Sequence, residues 1–441
     1  MNKLDNSFPR FTVIIPTKDR CDYLYHTLRT CSLQDYDNLE IVVSDDGSSD
    51  NTKEMVLEAS RKDPRINYFS PSGNIGVGMR DNFEFALNQV NPGYVIALGG
   101  DDGLLPNGIV KMHEVLKETN QKMLSWPAPA YLYPKTRMET AQLILHSRWG
   151  KPQGGNRIIE TKDFLNRQAK NLSYASDIES PMFYVKGVVS TDLIEKVKQR
   201  SKENRFYSCS TPDGYSGIVL AGEISTYAFS NEPFSIYGLS NSSQGMSYLA
   251  SDEKSKQRSQ DFFKGVMKIP MHSELASQPY SPLISLMTAD YLLTARDLPG
   301  WQGKFTAINY KELLIKSLDE LAHGLYANER LSRELFILNQ IAEQYELGDF
   351  FRKLVKSSKR KIKKKPIEGN AISGNYLFLD CSKYQIDNIF DAAFVAFYYQ
   401  QIALKTNIID IGKALFNSIR YKINSSKKGE SFLDETCWEL G

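Results

Sequence analysis

Three short apolar runs in the first 110 residues each stop at a cluster of acidic and small residues. FTVII (11–15) runs into PTKDR, LEIVV (39–43) into SDDGSSDNT, and YVIAL (94–98) into GGDDG. Between them, residues 22–33, 51–61 and 81–89 carry apolar residues at helical spacing, and residues 65–69 make a further short strand. Pro16 is expected to end the first strand, because proline cannot continue a ladder. The order β-α-β-α-β-α-β predicts an α/β fold with a mostly parallel, Rossmann-like sheet. Ligands on such sheets sit beyond the carboxyl ends of the strands, where these acidic loops fall.

Beyond residue 107 the pattern loosens into mixed α/β, with helices expected at 192–200 and 214–221. After about 250 it turns to amphipathic helices, at 283–296, 310–325, 330–345 and 392–404. The expected division is 1–250, made of a nucleotide-binding half 1–110 and an acceptor half 111–250, followed by a helical region 251–441. A length of 441 residues accommodates two such domains.

Composition narrows the function classes. The chain is 41% hydrophobic and 24% charged with a formal charge of +2, so no global field favours nucleic acid. One basic run, KSSKRKIKKK (356–365), stands without any nucleic-acid motif and reads as a solvated face. It could also attach the chain to anionic lipid. Five scattered cysteines form no CxxC pair and fit a reducing compartment. The polar N-terminus and the lack of a long apolar run predict a cytoplasmic protein, with peripheral contact at the inner face of the plasma membrane as an option. The five histidines lack metal spacing, and Trp126, Tyr131, Tyr133 and Trp149 are expected to pack rather than to stack on a sugar.

The series VIIPTKDR, IVVSDDGSSDNT, GNIGVGMRDN and YVIALGGDDGLLP, in that order and spacing, resembles the family 2 glycosyltransferases. The likeness is close over 11–110 and looser to about 240. It implies a GT-A catalytic domain and the transfer of a sugar from a nucleotide-diphosphate donor, with UDP the first guess. The implied acceptor is a hydroxyl of a saccharide or lipid-linked saccharide, as in bacterial surface-polysaccharide synthesis. On this resemblance Asp46 accepts the imide N–H of the base and Asp45 supports its loop, while Pro16 and Thr17 line the base and ribose. Arg20 closes the first motif and could form ion pairs within the site or simply start a surface helix. Asn74, Gly76 and Asn82 match the third motif. Asp81 stands where the family has arginine, with Arg80 one residue earlier as a candidate phosphate contact. Asp101 matches the last acid of the DxD loop and Asp102 follows it, whereas the first acid is replaced by Gly99. The implied cofactor is Mn²⁺ or Mg²⁺, which suits carboxylate oxygens. The glycines at 99, Gly100 and 103 would let backbone approach the phosphates.

An inverting transfer also needs a general base for the acceptor hydroxyl. Asp213, in CSTPDGYSGIVLAGE, resembles the family's acidic residue before a helix, although aspartate is also a favoured N-cap. Asp177, Glu179 and Glu223 are rivals for the task. The segment FSIYGLSNSSQG (234–245) resembles the close of the catalytic domain and reads as a loop near the donor. Two other classes compete: a sugar nucleotidyltransferase, which would need a glycine-rich loop where PTKDR stands, and a catalytically decayed scaffold. An oligomer is compatible with the helical region.

Overall fold

The computed structural model describes residues 8–71, 76–136, 138–146, 155–243, 269–323, 328–360 and 367–402, with Gln260, Phe263, Glu430 and Ser431 besides. Asn74, Trp149, Cys437 and residues 361–365 of the basic run lie outside the described residues.

The N-terminal part alternates as its pattern requires: β1 (Phe11–Thr17), α1 (Cys21–Ser32), β2 (Leu39–Asp45), α2 (Thr52–Lys62), β3 (Ile66–Phe69), α3 (Met79–Leu87) and β4 (Tyr94–Ala97). The four strands are parallel in the order β3-β2-β1-β4, with Phe11 opposite both Leu39 and Tyr94. The runs are apolar throughout because both faces of the sheet are covered. Phe11, Val13 and Ile15 pack with Leu24 and Leu28 of α1, while Ile14 points the other way, to Phe83 and Leu87 of α3.

The first strand is longer than expected, since Pro16 lies inside it, opposite Ser44. The reason lies in which neighbour each residue addresses. Asp46 N donates to Thr17 O on the β2 side, and Leu98 N donates to Ile14 O on the β4 side. Alternation then turns Pro16 toward β4, which has already left the ladder after Ala97. The missing N–H therefore falls where no ladder bond is required.

The chain continues through β5 (Gly103–Leu104), α4 (Gly108–Thr119), β6 (Met123–Ser125), β7 (Ala130–Leu132), β8 (Gln142–His146), β9 (Arg157–Glu160), α5 (Thr161–Asn171), β10 (Gly187–Ser190), α6 (Thr191–Arg200), α7 (Asp213–Ala221), β11 (Thr226–Phe229) and β12 (Ser235–Leu239). The main sheet extends past β4 as β10-β6-β11-β9, with β10 antiparallel to both its neighbours. It is therefore mixed beyond its parallel N-terminal half.

Among the described residues the next helices of more than one turn are α8 (Ile284–Arg296), α9 (Tyr310–His323), α10 (Asn328–Gln344) and α11 (Gly348–Ser357). Helix α8 packs on α7 and buries residues around most of its circumference, Tyr291 among them. After β13 (Lys359–Arg360), a hairpin of β14 (Ala371–Ser373) and β15 (Tyr376–Asp380) joins β8, and α12 (Ile389–Ile402) covers α1. A two-residue strand, β16 (Glu430–Ser431), pairs with β13. The hairpin completes a second sheet in the order β14-β15-β8-β7-β12-β5. Its strand β5 begins one residue after Asp102 and runs antiparallel to β12. That pairing carries the chain beyond β12 back to the acidic loop after β4.

Candidate active site

At the end of β2, Asp45 is a loop brace. Its Oδ1 accepts Ser48 N at 2.9 Å and Ser48 Oγ at 2.6 Å, and its Oδ2 accepts the Tyr68 hydroxyl at 2.9 Å. The Asp46 carboxylate accepts the amides of Val77 and Gly78, the latter at 3.1 Å, with Lys18 Nζ 3.7 Å away. Gly76 passes against Lys18 and the Asp46 carbonyl. Asn82, expected among the donor contacts, is buried behind them. Its Nδ2 donates to Ser44 O at 3.0 Å, its Oδ1 accepts Ser44 Oγ at 2.5 Å, and so it ties α3 to β2. Arg80 pairs with Asp81 at 2.9 Å, and Arg205 pairs with the same carboxylate. Thr17 has a buried hydroxyl with no hydrogen-bond partner among the described residues, set against Gly100. An orphaned hydroxyl of this kind is costly unless a ligand or water completes it.

Asp101 sits at the centre of a closed knot. Arg20 Nη1 donates to its Oδ1 at 2.9 Å, while Ser240 and Ser243 donate to its Oδ2 at 2.6 and 3.0 Å. Arg20 Nη2 also donates to Ser242 O at 2.6 Å. Gly238 makes the approach of β12 feasible, because a Cβ there would lie 1.6 Å from Asp101 O. Asp102 accepts Gly99 N on Oδ2 at 2.7 Å and Gly238 N on Oδ1 at 2.8 Å. Burial, and then the neighbouring Asp101, push the Asp102 carboxyl up to about 7 against the pull of those amides and Tyr184. At Gly99 a Cβ would stand 2.6 Å from the Tyr184 hydroxyl and 2.8 Å from Asp102 Oδ2, so a phenol fills the place of the missing first acid.

This donor set does not fit a divalent cation. Mg²⁺ and Mn²⁺ need open carboxylate oxygens. Here every oxygen of Asp101 and Asp102 already accepts a protein donor, and Asp101 has a guanidinium as counter-ion. Among the described residues no group of three or more His, Cys, Asp or Glu side chains is placed to hold a metal.

Asp213 opens α7 as its first helical residue, half-buried. Its Oδ2 accepts the Tyr174 hydroxyl at 3.1 Å and its Oδ1 the Tyr291 hydroxyl, from α8, at 3.5 Å. Burial raises this carboxyl above the ordinary aspartate range, while the helix-start amides and the two phenols pull the other way. Among the described residues no cation pairs with it. The three rivals differ in that respect: Asp177 pairs with Arg167, Glu179 with Arg157 and Arg167, and Glu223 with Arg200. Tyr184 and Tyr237 lie within electrostatic reach of both acidic centres. Burial first, and then the charges of Asp102 and Asp213, raise both phenols well above the usual tyrosine range.

The structure thus brings Thr17, Arg20, Gly100, Asp101 and Asp102 together, with Asp213 within electrostatic reach of the same two tyrosines, Tyr184 and Tyr237. Trp126 and Tyr131 are buried in packing, bonded to Ser235 Oγ and Ile386 O. Tyr174, Tyr184, Tyr291, Ser240 and Ser243 were not legible as site residues. Nothing distinguishes these tyrosines among the 24 in the chain, and the serines lay in a segment read as a loop near the donor, where neither was singled out.

Residues 12–181 match the model of glycosyl transferase family 2. This stretch belongs to that family. The chain is 36% identical over 110 residues to the GalNAc(5)-diNAcBac-PP-undecaprenol beta-1,3-glucosyltransferase of Campylobacter jejuni, a match covering 25% of this chain and 35% of that protein. A hyaluronan synthase of Pasteurella multocida is 28% identical over 177 residues, covering 35% of this chain and 18% of its own. The chain thus spans about a third of the first relative's length and less of the second. Among solved structures, S. aureus TarS 1-349 in complex with UDP-GlcNAc aligns over 78% of this chain and 90% of its own, at 14% identity and a TM-score of 0.44. The family match agrees with the expected α/β fold, a sheet with acidic loops at its strand ends followed by helices. Among the described residues no helix is long and apolar enough to cross a membrane.

Proposed function

We propose that the chain is an inverting glycosyltransferase that moves a sugar from a nucleotide-diphosphate donor, UDP first, to a hydroxyl of a saccharide or lipid-linked saccharide. The observation that carries this reading is Asp213: a half-buried carboxyl, raised by burial, with no paired cation among the described residues and held by the hydroxyls of Tyr174 and Tyr291. A general base works best when its pKa is raised toward the operating pH.

In the proposed reaction Asp213 takes the proton of the acceptor hydroxyl as its oxygen attacks the anomeric carbon. The bond from that carbon to the diphosphate breaks on the opposite face, and the nucleoside diphosphate leaves with the electron pair. Asp46 and the loop at Val77–Gly78 hold the nucleoside end, Thr17 and Gly100 the ribose and phosphates. Tyr174 and Tyr291 orient Asp213. In this reading residues 1–110 are the donor half and 111–250 the acceptor half, and the region 251–441 closes the acceptor side through Tyr291. A cytoplasmic location beside a membrane that supplies a lipid-linked acceptor is part of the same proposal, supported by the undecaprenol-linked saccharide in the name of the Campylobacter jejuni relative.

Calorimetric titration of UDP, and then of GDP and dTDP, tests the donor site. The reading expects one of them to bind and Asp46→Ala to weaken it. Binding of none would revive the decayed scaffold.

A further inference from the structure

We propose that Arg20 takes the place of a divalent cation at the donor diphosphate, so that nucleotide binding needs no metal; this rests on the nucleotide-sugar reading above. A metal at a DxD-type loop requires carboxylate oxygens turned to the ligand and clear of other positive charge. Asp101 meets neither requirement, with Arg20 on Oδ1 and two serine hydroxyls on Oδ2. Asp102 is turned into the protein, onto the amides of Gly99 and Gly238. The position from which a further acid would come is Gly99, where the Tyr184 hydroxyl stands 2.6 Å from any added Cβ. A divalent ion entering here would have to displace the guanidinium from a buried ion pair, an expensive exchange in a water-poor site.

The charge that a diphosphate needs is present in the side chains. Arg20 uses two of a guanidinium's five N–H groups on Asp101 and Ser242 O, and stays partly exposed at 16%. Lys18, half-exposed, follows the same strand and lies beside Asp46. Beside Gly100 is the Thr17 hydroxyl, a donor with no acceptor among the described residues. Arg20 thus holds Asp101 with one edge, and its remaining donors are available to phosphate oxygens, which guanidinium groups bind in a fork. Asp101 is then a positioning residue for Arg20 rather than a metal ligand.

The test is titration of UDP, GDP and dTDP into the full chain in EDTA and again in Mn²⁺. The proposal expects the nucleotide that binds to do so with the same Kd, within about twofold, in both buffers. It also expects Arg20→Gln to weaken binding in EDTA by about tenfold to a hundredfold, the value of a charge-assisted hydrogen bond, and Arg20→Lys by less. Binding by the wild-type chain in Mn²⁺ but not in EDTA overturns it, and so does an Arg20→Gln variant that folds and binds as wild type. The wild-type comparison decides the matter even if Arg20→Gln fails to fold. Failure of every nucleotide in both buffers points instead to the nucleotide-sugar reading as the error.

Discussion

The Tyr174 hydroxyl donates to Asp213 Oδ2 at 3.1 Å across 39 residues of chain, and it does so to a carboxyl that burial has raised above the ordinary range. The phenol favours the ionised form, so the two effects oppose each other at a single group.

Loss of the base should separate chemistry from binding. Asp213→Asn is expected to lower the transfer rate by about 10²–10⁴-fold, the usual contribution of a positioned acid or base, while donor affinity stays within error. Steady-state kinetics beside calorimetry of the same preparation reads both.

Stability should move the other way. A carboxyl whose folded pKa is raised contributes stability below its unfolded pKa, and that contribution is lost as pH rises through the folded value. Asparagine stays neutral throughout. The Asp213→Asn variant is therefore expected to melt higher than wild type at neutral pH, with the difference closing on acidification. A thermal melt at pH 7.5 and at pH 4 checks the sign.

The pH profile follows from the same group. Activity should be present above the raised pKa of Asp213 and fall as pH drops through it, giving an acid limb above that of an ordinary aspartate. Tyr174→Phe removes a bond that favours the carboxylate, so the acid limb should move to still higher pH. A kcat/KM profile of both proteins measures the shift, and a limb that stays in place would count against Asp213.

Two residues of the donor half should part company. Asn82→Ala removes a buried brace and is expected to cost about 1–3 kcal/mol of stability, seen as a lower urea midpoint with donor affinity largely kept. Asp46→Ala should instead lose donor affinity, because its carboxylate orders the Val77–Gly78 turn beside the ligand.

Gly238→Ala tests the contact between the two sheets. The added Cβ would meet the Asp101 carbonyl, a backbone atom that cannot swing aside. Overpacking of this kind costs about 1–3 kcal/mol or more. A lowered melting temperature is expected, together with loss of activity, since β12 and the Ser240–Ser243 loop would be pushed off Asp101.

The parallel half of the fold was legible because its signals are local. Strands such as LEIVV and YVIAL, buried on both faces, and helices with clear apolar stripes declare themselves within a few residues. Placement of the acidic loops at the strand ends follows from topology. The second sheet was not legible, because β5, β7 and β14 are two or three residues long and the pairings that assemble it, β5 with β12, β7 with β12 and β8 with β15, join segments far apart in the chain. The same distance hides Tyr291, Ser240 and Ser243: each reaches the site through tertiary packing that no local period encodes. Asp101 could be found from its motif and an ion pair of Arg20 within the site was an open reading, but not the serine contacts that close around them, which depend on β12 returning to the loop.

The most direct measurement is release of nucleoside diphosphate from a panel of UDP-, GDP- and dTDP-sugars, offered with a mixed saccharide and lipid-linked acceptor fraction to wild-type and Asp213→Asn chains. The account predicts acceptor-dependent release by the wild-type chain from one class of donor, and its near-complete loss in the variant. Release that is equal in the two proteins, or absent from the wild type with every donor, would contradict it.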